Sequence, residues 1–484
     1  MIAVVVAAVF MSNLDLWIVN VALVDLGRSF GVRLSGLSWV LNAYAVTLAA
    51  LLIPSGRLGD RIGHRRVFLA GITVFTLASV ACALAPNLGV LVAARIVQAA
   101  GAAAQLPTSL ALLLAAVPES SRTSAARGWS AVGALSAVAG PVLGGLLVSI
   151  SWRWIFLVNL PVGIVAVVAG LRVLPRPPAH EREPMPDLFG SALLVVAVAA
   201  LTGALVQAPA WGWTSARTIG LMALAVAGSV VFVRRCATHP SPMVELHLLR
   251  IRRFAVANAA TVAFSAAFAI MLLSNALWCQ DVWHYSALRT GLAMAPGPAM
   301  VPIVTFASVR LVQRLGSGRV AALGSVLFGL ALVWRVPLAG TEPNYVRDLL
   351  PSMIIGGVGV GLGLSTLIAA GATALPGHRS ATGSAFINSA RQIASALGVA
   401  VLVTILSSQA SVVRGFDVAW LVAAGLCVVC AGISLTLPAV VPTTAAVAPT
   451  IGPRSFGDNV LTPGTGTSCP APDSAAAHSP GPRP

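Results

Sequence analysis

The chain has 484 residues, of which 57% are hydrophobic and only 9% are charged, and its mean hydropathy is +0.91. A soluble domain cannot bury that much apolar surface, so the composition excludes an ordinary soluble protein. The formal net charge of +16 comes from arginine alone, since the chain has no lysine, and this bias with abundant Ala, Gly and Val suggests a GC-rich bacterial genome.

Apolar runs of about 20 residues recur along the chain, and each is long enough to cross a hydrocarbon core of roughly 30 Å as a helix. Helices suit lipid because they satisfy their own backbone hydrogen bonds. The pattern predicts an all-α polytopic membrane protein with fourteen spans, at about 3–24, 37–55, 67–86, 89–116, 129–149, 154–173, 188–208, 218–233, 255–277, 290–311, 319–337, 350–371, 383–408 and 418–438.

Nearly all arginines lie in the short segments between these spans. If the first span starts in the cytoplasm, the segments and span ends on that side carry 20 of the 30 arginines, and the outer segments and span ends carry 8, Arg335 among them. This asymmetry predicts a multi-pass protein of the cell membrane with both termini in the cytoplasm. It also explains the basic charge without a nucleic-acid partner. The other two, Arg95 and Arg391, fall within predicted spans.

The first span contains the stretch "SNLDLWIVNVAL", residues 12–23, which places Asp15 within an apolar run. Of the 14 acidic residues, only Asp15 lies deep within a predicted span. A buried carboxyl group can exchange a proton near neutral pH as access alternates between the two sides of the membrane. We therefore hypothesise that Asp15 is the site of proton coupling. Trp17 lies about 200° around the helix from Asp15 and is not expected to stack on it.

The second span is followed by "GRLGDRIGHRRVF", residues 56–68, which we predict to be a cytoplasmic loop. Its glycines permit tight turns, and its aspartate can pair with the arginines or cap a helix. A plain solvated loop is the alternative, but the spacing closely resembles the loop signature of the major facilitator superfamily. That resemblance implies a conformational loop in which the aspartate locks two halves in one state, with the residues Gly56, Gly59, Asp60, Arg61, Gly63, Arg65 and Arg66. His64 replaces the more usual basic residue, and either pH sensitivity or a harmless substitution is open.

The fourth span contains "RIVQAAGAA", in which Arg95 and Gln98 are one turn apart on one helix face. A guanidinium at that depth is costly unless it is paired or hydrated, which favours a functional role. The stretch resembles the Arg-x-x-Gln-Gly motif of the same superfamily, although Ala99 replaces the glycine. The resemblance implies that Arg95 and Gln98 take part in proton transfer with Asp15.

The fifth span contains "GALSAVAGPVLGG", in which a proline bends the helix and small residues allow close helix contacts. Tight packing alone would explain many of these glycines. Their order resembles the antiporter motif, which is found in exporters and is largely missing from importers. The residues that carry this resemblance are Gly133, Gly140, Pro141, Gly144 and Gly145.

Two further stretches extend the likeness: "WRWIFLVNLPVG" at 152–163 and "NSARQIASALGVAV" at 388–401. With the first-span stretch, they resemble the fourteen-helix drug:proton antiporter subfamily of the major facilitator superfamily, over nearly the whole chain from Asp15 to about Pro438. The resemblance implies bacterial multidrug or antibiotic efflux. Trp17 and Val24 depart from the subfamily pattern, which usually has Thr and Pro there.

An internal repeat supports a two-part architecture, because "RIGHRRVFLAG" from Arg61 aligns with "RLGSGRVAALG" from Arg314 at an offset of 314 − 61 = 253 residues. Repeats of this kind are typical of transporters. We predict a major facilitator fold of 6 + 2 + 6 helices with two pseudo-symmetric halves. Its parts are an N-terminal six-helix half (1–174), an inserted helix pair with flanking cytoplasmic loops (175–254), a C-terminal six-helix half (255–440) and a disordered cytoplasmic tail (441–484).

These observations predict a proton-coupled antiporter that exports lipophilic drugs or natural-product antibiotics. The proton gradient supplies the energy, and no cofactor, catalytic residue or metal site is expected. The expected partners are a lipophilic small-molecule substrate, protons and the lipid bilayer, and the chain is expected to be a monomer. Candidate substrate-cavity residues, each of which can equally face lipid or a neighbouring helix, are Trp17, Asn20, Asn42, Tyr44, Trp278, Gln280, Asn388, Arg391 and Gln392.

Several other functions are compatible with a polytopic membrane protein. A metabolite or sugar transporter shares the fold, but the Gly-Pro motif of the fifth span speaks against an importer. A membrane-embedded enzyme needs acidic or metal-binding clusters in sizeable loops, and no interspan segment is long or acidic enough. A receptor leaves the repeat and Asp15 without a role. ATP hydrolysis is disfavoured because the chain has no GxxxxGK loop.

Overall fold

The computed structural model describes residues 1–118, 121–174, 187–338, 340–375 and 380–438. Within these ranges every regular element is helical, and fourteen segments are long and apolar enough to cross a membrane. The all-α fold with fourteen spans is therefore confirmed. The predicted disordered tail, 441–484, lies outside the described residues, as does most of the predicted loop that precedes the inserted helix pair.

The helices follow one another with short connections. The first seven are α1 (Ile2–Phe30), α2 (Leu34–Ile62), α3 (His64–Ala83), α4 (Leu88–Ala115), α5 (Arg122–Val148), α6 (Trp154–Leu157) and α7 (Asn159–Val173). The next five are α8 (Leu188–Trp211), α9 (Ala216–Thr238), α10 (Arg252–Leu277), α11 (Ala287–Met294) and α12 (Pro296–Leu315). The last five are α13 (Ser317–Val333), α14 (Arg335–Leu338), α15 (Leu350–Ala372), α16 (Ser380–Ser408) and α17 (Val412–Leu435). Two π-helical turns, Trp278–Val282 and Tyr345–Leu349, extend α10 and precede α15.

The second helix is longer than the apolar pattern predicts. It runs to Ile62, and Gly63 alone separates it from α3. The prediction of a loop over residues 56–68 is therefore wrong. Hydropathy marks only the apolar part of a helix, and arginine and leucine both favour helix beyond the hydrocarbon core.

The two copies of the internal repeat have the same local backbone. Gly63 has φ +99° and Gly316 has φ +85°, at the repeat offset of 316 − 63 = 253 residues. In each copy this glycine N–H donates to the carbonyl four residues earlier, Gly59 or Val312, at 2.9 Å. A positive φ is strained for residues with a Cβ, so both positions require glycine.

Of the predicted inserted pair, α8 packs against α2 and α16, and α9 packs against α8. Val46, Val198 and Ala396 form one buried apolar cluster from α2, α8 and α16, and the Thr404 hydroxyl donates to the Leu205 carbonyl at 2.7 Å. α8 thus covers a seam between the helices of the N-terminal and C-terminal parts of the chain. The domain boundaries themselves stay a prediction.

An ion pair joins the two inserted helices at one end. The Arg235 guanidinium on α9 donates to both carboxylate oxygens of Asp187, which precedes α8, at 2.9 Å each. Burial alone would raise the pKa of Asp187, but the hydrogen bonds from Arg235 and from the Gly190 N–H outweigh it and hold that pKa below its usual value. The bond to Gly190 also caps α8, because the carboxylate accepts from a free N–H of its first turn.

Small residues bring α13 and α15 into backbone contact. A Cβ added at Gly359 would lie 2.7 Å from the Phe328 nitrogen, and one at Gly324 would clash with the backbone of Gly363. Such close approach maximises van der Waals packing where lipid offers no hydrophobic driving force.

We expect Gly359→Ala to lower the stability of the purified protein by about 1–3 kcal/mol, because the added methyl group overpacks a backbone contact. The measurement is the thermal melting temperature in detergent. Gly425→Ala is the matched control, since a Cβ there meets no atom within 4 Å. Equal melting temperatures for the two variants would contradict the packing argument.

Candidate functional site

The Asp15 carboxylate lies in the middle of α1 and is only 1% exposed. Its Oδ2 accepts a hydrogen bond from Nη1 of Arg95 in a buried ion pair, and its Oδ1 accepts from Nε2 of Gln98 at 3.0 Å. Arg95 and Gln98 lie on one face of α4, as their spacing predicts. The structure therefore brings the three predicted proton-site residues together.

Two more side chains, to which sequence analysis assigned no role, join this network. Nδ2 of Asn159, on α7, donates to Oδ1 of Asp15 at 3.4 Å and to the hydroxyl of Ser79, on α3, at 3.3 Å. The Gln98 amide also donates to Ser79, at 2.8 Å. Asn159 belongs to the stretch "WRWIFLVNLPVG", whose polar residue amid apolar ones was the available signal, whereas Ser79 carries no comparable signal.

The Arg95 guanidinium also contacts α2. Its Nε donates to the Val40 carbonyl at 3.2 Å, and its carbon lies 4.0 Å from the centre of the Tyr44 ring. Nη1 donates to Oε1 of Gln98 at 2.7 Å. Hydrogen bonds and a cation–π contact thus hold this charge between α1 and α2.

Burial alone does not single out Asp15 among the acids. Asp187 and Asp348, which the sequence places between spans, are also buried, and they pair with Arg235 at 2.8 Å and Arg347 at 2.6 Å. Both lie beside helix ends, however, and the side chains of their arginine partners are 31% and 60% exposed. Asp15 differs in being in mid-helix with a partner that is 1% exposed.

The conformational-loop residues lie at the junction of α2 and α3. Oδ1 of Asp60 is 3.2 Å from Nε2 of His64, so this aspartate pairs with the residue that departs from the family pattern. Arg65 donates to the Leu171 carbonyl on α7 at 2.6 Å. The locking role of Asp60 stays a prediction, and a different residue links this junction to a distant segment.

That residue is Arg57, near the end of α2. It donates to Glu245 at 3.3 Å and to the Ser241 hydroxyl at 2.9 Å. Both partners belong to the segment that connects α9 to α10, so an ion pair ties α2 to the start of the C-terminal helices. Of the glycines at this junction, Gly59 has the least space for a side chain. A Cβ there would lie 2.8 Å from the Thr108 side chain, whereas a Cβ at Gly56 would lie 3.5 Å from its nearest atom, on Pro107.

The antiporter-motif residues press α5 against α1 and α11. A Cβ added at Gly140 would clash with Trp17, and one at Gly144 would lie 2.9 Å from Ile18. On the other face, Gly145 lies against the backbone of Ala287, and the Pro141 carbonyl fills the space where a Cβ on Gly291 would stand. Only Gly133 has room, with its nearest neighbour 4.0 Å away. The motif therefore joins an N-terminal helix to a C-terminal one at the predicted outer end.

Trp17 packs between the two parts of the chain. Its ring meets Phe268 of α10 edge-on at 5.8 Å, and its Cβ lies against Gly140 of α5. These contacts occupy the ring away from Asp15. Trp17, where the subfamily usually has Thr, therefore contributes to the contact between α1, α5 and α10.

The other cavity candidates are dispersed. Trp278 is buried against Phe416 and Trp420, with ring centres 5.2 and 5.1 Å away. Gln280 donates to the Val21 carbonyl at 2.8 Å, and Arg391 donates to Asn388 at 3.1 Å. Asn20 donates to the Leu16 carbonyl of its own helix, Asn42 and Tyr44 are buried, and Gln392 is half-buried.

Arg335 requires a correction. The arginine count places it in an outer segment, but the structure buries it, with 2% exposure, at the start of α14. Its Nε donates to the Ser352 hydroxyl at 2.8 Å, and its Nη1 donates to Oδ1 of Asn275. The prediction failed because an average over a span cannot show that a charge near its end turns inward to polar groups on other helices.

We expect Gly145→Ala to reduce transport at least about tenfold, because overpacking at this contact opposes closure of α5 against α11. The matched control is Gly133→Ala, which changes a residue of the same motif that has room for the methyl group. The measurement is the initial transport rate per folded molecule in proteoliposomes. A similar loss in both variants would show that the close contact is not the reason for the motif.

Comparison with known proteins agrees with this geometry. A sequence model of the Major Facilitator Superfamily matches residues 5–399. The chain is 38% identical over 404 residues to multidrug resistance protein Stp of Mycobacterium tuberculosis, covering 83% of this chain and 74% of that protein. It is 32% identical over 429 residues to the methylenomycin A resistance protein of Streptomyces coelicolor (88% and 89%) and 30% identical over 407 residues to the tetracenomycin C resistance and export protein of Streptomyces glaucescens (84% and 75%).

Solved structures give the same fold. A POT family transporter in complex with 5-aminolevulinic acid matches with a TM-score of 0.67 at 14% identity, over 90% of this chain and 96% of that one. The POT family transporter PepTSo matches with a TM-score of 0.64 at 16% identity, over 90% and 96%. At these identities the likeness concerns the fold alone. The match of the family model over residues 5–399, together with the fourteen apolar helices, shows that the chain is a multi-pass membrane protein that belongs to the Major Facilitator Superfamily of transporters.

Proposed function

We propose that this protein is a proton-coupled antiporter that exports lipophilic drugs or natural-product antibiotics across the cytoplasmic membrane by alternating access. The names of three relatives refer to multidrug resistance, methylenomycin A resistance, and tetracenomycin C resistance and export. The observation that carries the proton coupling is the buried pair of Asp15 and Arg95. Both termini in the cytoplasm, a monomeric state and the absence of a cofactor belong to the same proposal.

The proton step follows from the partners of Asp15. Arg95, Gln98 and Asn159 all donate to this carboxylate, an arrangement that matches its ionised form. A proton on Asp15 removes the negative charge, and the Arg95 guanidinium is then buried without a counter-ion, which is costly in a membrane interior. The unprotonated and protonated forms therefore favour different arrangements of α1 and α4.

Arg95 carries this change to α2. Once Asp15 is neutral, Arg95 keeps its contacts with Gln98 on its own helix and with the Val40 carbonyl and the Tyr44 ring on α2. The Phe156 ring of α6 is more distant, with its centre 5.8 Å from the guanidinium carbon. α2 in turn packs against α16 through Val46 and Ala396. Protonation of Asp15 thus removes the ion pair of Arg95 with α1 and leaves its contacts with α2, which packs against the C-terminal part of the chain.

The drug is bound and released in the half of the transport cycle in which Asp15 carries no proton or gives it up. In this conformation α5 and α11 are in contact at the predicted outer end, so outward release requires that the contact at Gly145 and Gly291 opens. Deprotonation of Asp15 on the cytoplasmic side restores the ion pair with Arg95. The two states alternate because the proton and the drug bind in turn.

The charge of the protein interior selects the substrate. Arg95, Arg335 and Arg391 are three guanidiniums within the spans, and Arg95 alone has a mid-span carboxylate as partner among the described residues. Such an interior disfavours dications. We therefore propose neutral, weakly anionic or at most monocationic lipophilic substrates, a range that includes aromatic natural products.

We expect Asp15→Asn to abolish the coupling of drug export to proton entry, because an amide cannot release a proton between the two states. The measurement is drug-driven proton flux in proteoliposomes. Asn13→Ala is the control, since Asn13 lies on the same helix and its amide donates to the Val9 carbonyl of that helix at 2.8 Å. Uphill transport with normal proton coupling in Asp15→Asn would refute the assignment.

We expect the membrane potential to drive neutral substrates more strongly than cations. One proton moving down 100 mV supplies about 2.3 kcal/mol, and a tenfold gradient takes about 1.4 kcal/mol, so a neutral drug can reach roughly fiftyfold. One-for-one exchange of a proton for a monocation gains nothing from the potential. In everted vesicles, a potential alone should accumulate a neutral drug and not its monocationic analogue.

The same vesicles test the direction of transport and the charge argument. An importer of sugars or metabolites would not accumulate the drug in everted vesicles, and that result would favour the alternative function. Strong preference for divalent cationic dyes would contradict the proposed role of the buried arginines. Vesicles that contain the Asp15→Asn variant give the background level of drug accumulation without proton coupling.

A further inference from the structure

We infer that Asn159 is a positioning residue of the proton site: with Ser79, it holds an amide N–H against the Asp15 carboxylate and favours the ionised form. This inference rests on the proposed function, because it concerns the residue through which proton coupling is proposed. It concerns two side chains, one on α7 and one on α3, that neither the sequence motifs nor the comparisons assign.

The backbone of the sixth span places Asn159 at this site. The helix is interrupted between α6, which ends at Leu157, and α7, which begins at Asn159. Pro161 has no N–H with which to bond the Leu157 carbonyl, and this explains the interruption. Asn159 follows it directly and is 1% exposed, so its amide enters the interior of the helix bundle instead of facing lipid.

Ser79 fixes the direction of the amides. Its hydroxyl donates to the Phe75 carbonyl at 2.9 Å, so its oxygen accepts from the two amides that reach it. Gln98 donates to it at 2.8 Å and Asn159 at 3.3 Å. Each amide nitrogen has two hydrogens, and with one directed to Ser79 the other points to Oδ1 of Asp15. Ser79 thereby sets two donors on one carboxylate oxygen.

The charged and titratable surroundings of Asp15 are few. Arg95 from α4, Tyr44 from α2 and the Cys82 thiol from α3 interact with it electrostatically, and within the described residues α5, α6 and α7 add no titratable partner. The contribution of α7 is therefore the neutral Asn159 amide. A neutral donor stabilises the carboxylate without adding a charge, so it adjusts proton affinity and leaves Arg95 as the only cation in the network.

The test measures the protonation of Asp15 directly. In purified protein, infrared difference spectra over a pH series should show one carboxylic C=O band that is absent in Asp15→Asn. We expect Asn159→Leu to move the midpoint of this band to higher pH by about 1 unit, because the ionised form loses a hydrogen-bond donor. The pH profile of drug/proton exchange should shift in the same direction.

Two further variants keep the inference falsifiable. Ser79→Ala should shift the midpoint in the same direction, and the double variant should shift it by less than the sum, because both residues act on one contact. Ser79→Ala also serves if Asn159→Leu does not fold. The matched control is Asn258→Leu, which removes a buried amide that donates to the Phe254 carbonyl on α10, and it should leave the midpoint unchanged.

The outcomes separate this inference from the proposed function. An unchanged midpoint in Asn159→Leu and Ser79→Ala, or an equal shift in Asn258→Leu, would overturn the role of Asn159. A shifted midpoint together with normal proton-coupled export by Asp15→Asn would leave the positioning role intact and overturn the proposed coupling site.

Discussion

The arrangement of the helix interior depends on the free-energy cost of burying a charge within the membrane. Arg95 and Asp15 are both 1% exposed, and each would be strongly unfavourable there without the other. Around them, groups from α2, α3 and α7 use their hydrogen-bonding capacity on the pair or on its immediate neighbours. The Asp15–Arg95 pair and its hydrogen bonds thus link five helices, and in the proposed function a single proton on Asp15 alters the contacts among them. Arg335, in contrast, is bonded to the neutral groups of Ser352 and Asn275, so a proton on Asp15 does not remove a partner from it.

Contacts between backbones complement this electrostatic centre. Gly140 and Gly144 bring α5 onto α1, and Gly145 brings the same helix onto α11. α1 therefore carries the Asp15 carboxylate on one face and contacts the antiporter motif through Trp17 and Ile18 on another. In the proposed transport cycle, a movement of α1 relative to Arg95 therefore affects the contact between α5 and α11 at the predicted outer end.

Much of this architecture was predictable from the sequence. The fourteen spans and the shared helix face of Arg95 and Gln98 follow from hydropathy and from one-turn spacing, which are local properties. The meeting of these two residues with Asp15, 80 and 83 residues away in the chain, was expected from the resemblance to the family motifs. Ser79 and Asn159 did not follow, because no local pattern marks a serine as an acceptor and no motif assigns a role to Asn159. The end of α2 was missed because hydropathy does not register a helix that continues past the hydrocarbon core. Arg335 was misplaced because its polar partners come from other helices.

The two copies of the repeat share a glycine turn but differ in the charge beside it. Gly63 and Gly316 keep the same left-handed turn between two helices, yet the residue three positions earlier is Asp60 in one copy and Gln313 in the other. The backbone turn is therefore present in both copies, while the acidic group is present in the first alone. Two corners of the chain with the same backbone path thus differ in charge, and only the first offers an acidic side chain at the helix junction.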